Sequence, residues 1–465
     1  MSLSRRTFFQ HMAVSGMMLG GCKSSEPQEE QGNALDPKHP NVLMLVVDDL
    51  NDWVGYLGAN AQIQTPHMDA LAAKGAYFTR AYCNAPWCNP SRSSALTGLM
   101  PSRTGVTGNE GLRKVSPHLV TLPQHFRQYG YKTFGAGKVF HYTDAASWTY
   151  DYGRPIDPLP SASPKANHWC PLGSKDKNNY WDWAPLDIDE KEMSDSRVAD
   201  AAIAFLNSPQ DAPFFMGVGF YRPHVGWYVP RKYFNLYPKD KIILPEILKT
   251  DLNDIPESGR AMAWWGGNQG CIETNDVWRD AVQGYMASIT FSDAQVGRVL
   301  EAFYSSPYVA NTIVVLWSDN GYHLGEKLHW HKTALWEKTL RVPFIIVPPQ
   351  SKFVGQAVSP CVSLLDIFPT LIDYCGLPMP QGIQGRSLKP LLDNPSLPWR
   401  YPALSILNQS DYSLRTEQWR YIRYANGEEE LYDHHTDAKE WHNLANKPEY
   451  AELKAQLYAQ ILSLV

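Results

Sequence analysis

The chain has 465 residues, with 42 Lys and Arg against 47 Asp and Glu, a net charge of −5, and 12% aromatic residues that include 16 Trp and 25 Tyr. That length can bury a large core without disulfide staples. The near-balanced charge, with no strong basic or acidic block in the body of the chain, gives nucleic acid no electrostatic footprint.

In chain order, residues 1–22 read as an export signal. Ser4-Arg5-Arg6-Thr7-Phe8-Phe9 resembles a twin-arginine motif, and the apolar stretch Met12 to Leu19 is too short to span a bilayer. Leu19-Gly20-Gly21-Cys22 looks like a lipobox, so Cys22 is expected to become a lipidated N-terminus. Residues 23–40 are polar and Pro-containing, as a tether should be. The expected location is therefore the periplasm or cell surface, with the membrane met only through the lipid at Cys22.

The folded part is expected to comprise a main domain over 41–395 and a C-terminal subdomain over 396–465. Asn41 to Val47 (NVLMLVV) is a continuous apolar, β-branched run, the pattern of a strand buried on both faces of a parallel sheet. Tyr131 to Ala136, Phe214 to Phe220, Thr312 to Trp317 and Phe344 to Val347 repeat it. Helix-period segments alternate with these runs: Met68 to Lys74, Leu122 to Tyr129, Ser194 to Leu206, Asp276 to Phe303 and Leu364 to Tyr374. The alternation predicts an α/β fold, a doubly wound, mostly parallel sheet flanked by helices. Polar chemistry gathers just past the strand ends, as Asp48 and Asp49, Lys138 and His141, His224, and Asp319 and Asn320, where ligands bind in such sheets. Residues 143–189 are rich in Pro and Trp and suit a cleft-forming insertion. Beyond Pro395, short strand-like pieces and a last helix from about Glu449 to Leu464 predict a smaller antiparallel sheet with a helix on it.

Cys88 sits two residues before Pro90, whose fixed φ suits a first helical turn that runs to Gly98. A helix start offers free amide donors and partial positive charge, an anion's environment and an unusual one for a packed thiol. With Cys22 lipidated and Cys88 set apart, five of the seven cysteines remain, and an odd remainder does not form a disulfide framework.

Cys88-Asn89-Pro90-Ser91-Arg92, with Leu96-Thr97-Gly98 behind it, resembles the signature of type I sulfatases. Asn41 to Leu50, Gly137 to His141, Arg222-Pro223-His224, Ser318 to Gly321 with Leu324-Gly325-Glu326, and the stretch from Arg415 to Asn443 are also similar to blocks of that family. The iduronate-2-sulfatase-like subgroup matches best, through Gly137 to His141 and Tyr221 to His224. The resemblance implies an alkaline-phosphatase-like fold and conversion of Cys88 to Cα-formylglycine by a formylglycine-generating or equivalent maturation enzyme. It also implies a divalent cation held by Asp48, Asp49, Asp319, Asn320 and residue 88. The first four supply only oxygen, which suits Ca²⁺, with Mg²⁺ as the alternative, and not zinc. Three carboxylates around such an ion leave about one negative charge, so cations must line the rest of the pocket. Arg92, Lys138 and Lys332 match that role.

The implied reaction is attack on sulfur by the aldehyde hydrate, with Asp319 or a neighbour as base, His224 or Lys332 protonating the departing sugar oxygen, and His141 taking the proton that releases sulfate. The expected substrate is a sulfated polysaccharide or oligosaccharide, bearing either uronate 2-O-sulfate, as in glycosaminoglycans or ulvan, or sulfated algal galactan. Trp169, Trp181, Trp183, Trp227, Trp264 and Trp265 are candidate sugar platforms, and Arg154 and Arg222 candidate readers of a carboxylate or second sulfate. A phosphonate or phosphodiester hydrolase of the same superfamily and an inactive glycan-binding lipoprotein are the competing readings.

Overall fold

A computed structural model describes residues 39–157, 182–264, 268–350 and 354–465. The expected leader with Cys22, most of the tether, and Trp169, Trp181 and Trp265 lie outside the described residues.

The main sheet has eight strands: β1 (Asn41–Val47), β2 (Ala76–Phe78), β3 (Lys132–Gly137), β4 (Tyr150–Gly153), β5 (Phe214–Phe220), β6 (Thr312–Ser318), β7 (Phe344–Val347) and β8 (Gln356–Val358). Their spatial order is β8-β2-β7-β6-β1-β5-β3-β4. β6, β1, β5, β3 and β4 pair in parallel, as do β8 and β2, while β7 runs against both its neighbours. The continuous apolar runs are explained by burial on two faces. In β1, Leu43, Leu45 and Val47 enter one core and Val42, Met44 and Val46 the other, every one of them fully buried. Each such side chain contributes about 1.5–3 kcal/mol of transfer free energy. The first core is covered by the helices Ser194–Leu206 and Trp278–Tyr304, and the second by Cys88–Thr97, Leu122–Gln128 and Ile367–Tyr374. The fold is the expected α/β arrangement.

The C-terminal sheet is antiparallel throughout, with β9 (Ala403–Leu407), β10 (Asp411–Arg415), β11 (Trp419–Arg423) and β12 (Glu429–Asp433) in sequence order. The last helix, Ala451–Leu464, seats Leu457 and Ile461 against Leu414, Tyr421 and Leu431 of this sheet. Fully buried Arg420 of β11 pairs with both Glu337 and Glu440. It thereby ties the small sheet to the segment after β6 that also carries Lys332.

Two expectations fail here. Trp183 and Trp227 are not sugar platforms: they lie 5% and 0% exposed in the first core, packed on each other with ring centroids 6.1 Å apart. Trp264, by contrast, is 62% exposed. Arg222 is not a substrate reader either. It is buried, and its guanidinium is taken up by Asp157 at 2.7 Å and by the carbonyls of Tyr228 and His224. Among the described residues Cys83, Cys88, Cys361 and Cys375 are free thiols, while Cys271 is disulfide-bonded.

Candidate active site

The parallel strands deliver their following residues to one edge of the sheet, and the helix that begins at Cys88 starts there. Trp87 holds extended backbone at its N-cap, and Gly98 ends it at φ 68°, a left-handed conformation that glycine adopts without steric cost. Cys88 is 1% exposed, with its Sγ 3.6 Å from Asp49 Oδ1 and in contact with Lys332 Nζ. Burial pushes the thiol pKa well above its ordinary value, against the pull of Lys138 and Lys332. A cysteine that attacks as thiolate needs the opposite shift. The thiol is therefore protonated in the resting site.

Asp48 and Asp49 leave the end of β1, and Asp319 and Asn320 the end of the adjacent β6. Asp49 takes φ 60°, unusual for a side chain other than glycine. Its amide donates to Asp319 Oδ1 at 3.0 Å and its carbonyl accepts from Tyr285 Oη at 2.8 Å, so the local cost is met by partners from two elements. One ligand atom from each of Asp48, Asp49, Cys88 and Asp319 lies within 4.8 Å of the others, and all four residues are buried. Asp49 Oδ2 and Asn320 Oδ1 are buried without a hydrogen-bond partner. Two orphaned oxygens in a fully buried carboxylate cluster fit a hard cation. Asp48, Asp49, Asp319 and Asn320 are the residues that would hold it, with residue 88 beside them.

Cations enclose this cluster. Arg92 donates from Nε to Asp319 Oδ2 at 2.7 Å, from Nη2 to Asp48 Oδ1 at 2.9 Å and from Nη1 to the Val139 carbonyl at 3.0 Å. Lys138 pairs with Asp48, and Lys332 Nζ lies 2.6 Å from Asp49 Oδ1. Three carboxylates and three cations cancel, so a divalent ion held there would bring the pocket near +2, a field that suits an anion. Burial would raise the Asp48 pKa, but Lys138 and Arg92 hold it well below the ordinary value. Asp319, where burial outweighs Arg92, is pushed up to about 6.

Lys138 emerges from a tight crossing. Gly137 ends β3 at φ 71°, and a Cβ there would lie 2.0 Å from the Gly219 carbonyl oxygen, so only glycine lets the chain turn Lys138 toward Asp48. His141 follows, half-buried, with Nδ1 lacking a partner, and burial together with Lys138 lowers its pKa to about 3. His224 Nδ1 lies 2.7 Å from the Val225 carbonyl, and its Nε2 is 3.8 Å from Asp49 Oδ2. Burial, Lys332 and Lys138 keep its pKa well below the usual value. Both imidazoles are therefore neutral near pH 7 in the resting site, as a base must be. Lys332 keeps its proton: burial opposes its charge, but Asp49 holds its pKa well above the ordinary value.

All the sequence-derived site residues, Asp48, Asp49, Cys88, Arg92, Lys138, His141, His224, Asp319, Asn320 and Lys332, converge on this one site. Three contributors escaped sequence reasoning. Tyr285, from the Trp278–Tyr304 helix, also accepts the Asn51 amide at 2.9 Å and so supports the loop after β1. Tyr221 stacks on His224 with centroids 4.7 Å apart. His331 adjoins Lys332 at φ 101°, and burial together with Lys332 lowers its pKa to about 3. Two of them carried a signal, Tyr221 by opening the Tyr221 to His224 block and His331 by its place beside Lys332.

Residues 40–377 match the family model described as Sulfatase, and residues 325–465 match one described as N-sulphoglucosamine sulphohydrolase, C-terminal. A protein named sulfatase from Formosa agariphila is 35% identical over 96% of this chain and 91% of its own length. The iduronate 2-sulfatase of Homo sapiens is 29% identical over 73% of this chain and 70% of its own. The solved structure of a 2-O GAG sulfatase superposes with a TM-score of 0.70 at 23% identity, covering 91% of each chain, a likeness of fold.

Proposed function

The chain belongs to the sulfatase family, as a sulfuric ester hydrolase of the iduronate-2-sulfatase-like kind, and on that premise we propose that it removes sulfate from a sulfated polysaccharide or oligosaccharide, using an aldehyde made from Cys88 and a bound divalent cation. The carrying observation is the convergence of Cys88, an acidic cluster with orphaned oxygens, and three buried cations on one point. As formylglycine, residue 88 would supply a hydrated carbonyl as nucleophile. The cation, Ca²⁺ by its oxygen-only donors with Mg²⁺ as the alternative, would supply positive charge where the ester oxygens gather.

The chain's own residues do the rest. Arg92 orients Asp48 and Asp319, and Lys138 and Lys332 present fixed charge to the ester oxygens. His141 is neutral with an uncommitted Nδ1 and can take a proton at that atom. At the leaving oxygen, Lys332 holds a proton in the resting site, while burial, Lys332 and Lys138 keep His224 neutral there until an anion binds beside it. Sulfated uronate is the favoured substrate class because one relative, 29% identical over 73% of this chain, is an iduronate 2-sulfatase. Export through the twin-arginine signal, a lipid at Cys22, and modification of Cys88 by a maturation enzyme before export complete the proposal.

Screening sulfated glycans for free sulfate tests it, with Cys88→Ala as control and mass spectrometry of residue 88. Cys88→Ala should fold normally and lose turnover. Retained activity in that variant rejects the covalent route, while faster hydrolysis of aryl phosphonate than of every sulfate ester rejects the sulfated substrate.

A further inference from the structure

Arg154, directly after β4, is exposed, and its guanidinium has no carboxylate partner among the described residues. It lies over the Tyr221 ring, 4.4 Å from the centroid. The same ring stacks on His224 at 4.7 Å and has Lys138 Nζ 5.3 Å from its centroid. One aromatic ring thus contacts Arg154 and two residues of the catalytic centre. Arg154 and His141 also line one cavity of about 240 Å³ beside that centre, with half-exposed Tyr142 on its wall. This is less than the roughly 300–1,000 Å³ that encloses a drug-sized ligand, and it suits one substituent or ring of a longer substrate.

Two carboxylates share the cavity, and neither pairs with Arg154. Asp144 is gripped by Arg113 at 2.8 and 2.7 Å and accepts from Ser147 at 2.6 Å. Asp151 accepts from the Gly153 amide at 2.8 Å, and burial raises its pKa toward the neutral form. Arg222 reaches the same Tyr221 ring but is buried and spent on Asp157. An arginine set over an aromatic face has less rotamer freedom to lose and can present its planar fork to an oxyanion.

We propose that Arg154, set on Tyr221 beside His141, forms a subsite for a second anionic group, a carboxylate or a further sulfate, on the sulfated substrate. The proposal rests on the sulfatase reading and extends it to specificity. Arg154 is a binding residue, and the scissile ester is handled without it.

The test compares wild type, Arg154→Gln and Arg154→Lys on three kinds of probe: 4-nitrophenyl sulfate or a neutral sugar monosulfate with one anionic group, a sulfated disaccharide with a uronate carboxylate, and a disulfated one without it. Arg154→Gln should raise KM for a doubly anionic probe by about tenfold or more, leaving kcat and the KM for singly anionic probes within about twofold. Arg154→Lys, which keeps the charge and loses the fork, should fall between. Whichever arm responds, carboxylate or second sulfate, identifies the group recognised. Unchanged KM on every probe, or equal changes on singly and doubly anionic ones, overturns the subsite and leaves the sulfatase reading intact. A wild type that releases no sulfate from any probe overturns both.

Discussion

Arg92 offers the sharpest test of the site's electrostatics. Its side chain is 1% exposed and bonds two carboxylates and the carbonyls of Val139 and Lys138. Two unit charges about 4 Å apart attract by about 4 kcal/mol at an effective dielectric constant near 20, so Asp48 and Asp319 together give a gross attraction of about 8 kcal/mol. Desolvating the guanidinium takes back a large part, and removing one member of a buried ionic group typically costs about 3–5 kcal/mol because the other charges are left uncompensated. Arg92→Met should therefore lose about 3–5 kcal/mol against denaturant in EDTA at pH 7, and Arg92→Lys less, since it keeps the charge without the fork. The pH dependence has a definite sign. Asp48 has a depressed pKa in the folded protein, so its contribution is present above the ordinary carboxylate pKa and is lost as pH falls through the folded value. Without Arg92 that folded value rises, and the deficit of the variant should shrink as pH drops from 7 toward 4. Added Ca²⁺ should narrow it too, by restoring positive charge at the same carboxylates. Urea titrations followed by tryptophan fluorescence read both effects. A variant within about 1 kcal/mol of wild type in EDTA, or a deficit that grows toward pH 4, refutes the reasoning.

Other outcomes follow from the same geometry. His224→Ala should slow release of sulfate from a sugar alcohol by about 10²–10⁴ and from 4-nitrophenol far less, because the phenolate departs without a proton; equal losses on both would remove His224 from the leaving-group side. Calcium affinity measured by calorimetry should be flat above about pH 7 and fall by up to about tenfold per unit below about pH 6, where the ion must displace the proton from Asp319; a constant Kd from pH 7 to 5 would contradict this. Arg420→Met should cost about 3–5 kcal/mol, since it leaves Glu337 and Glu440, in a buried setting, with only Arg415 and His434 as ion-pair partners among the described residues, and should expose the C-terminal sheet first in hydrogen exchange.

The strands that carry the site were legible because burial on both faces demands an unbroken apolar run, and β1, β5 and β6 each supply seven fully buried residues. Their ends then marked where polar chemistry must surface, which is how Asp48, His224 and Asp319 were brought to one edge from positions hundreds of residues apart. β2 and β8 were not legible, being three residues each and too short for any periodicity, and the reversal of β7 depends on its partners and not on its own four residues. The errors at Trp183, Trp227 and Arg222 share one cause. A large aromatic or a guanidinium has the same letter whether it faces a cleft or a core, and what decides is a partner distant in sequence: each other for the two indoles, Asp157 for the arginine. Arg154 and Arg222 looked equivalent in the chain and differ in the fold because Asp157 bonds only the second. Among the described residues that asymmetry leaves Arg154 without a carboxylate, and on this difference of a single ion pair the proposed subsite rests.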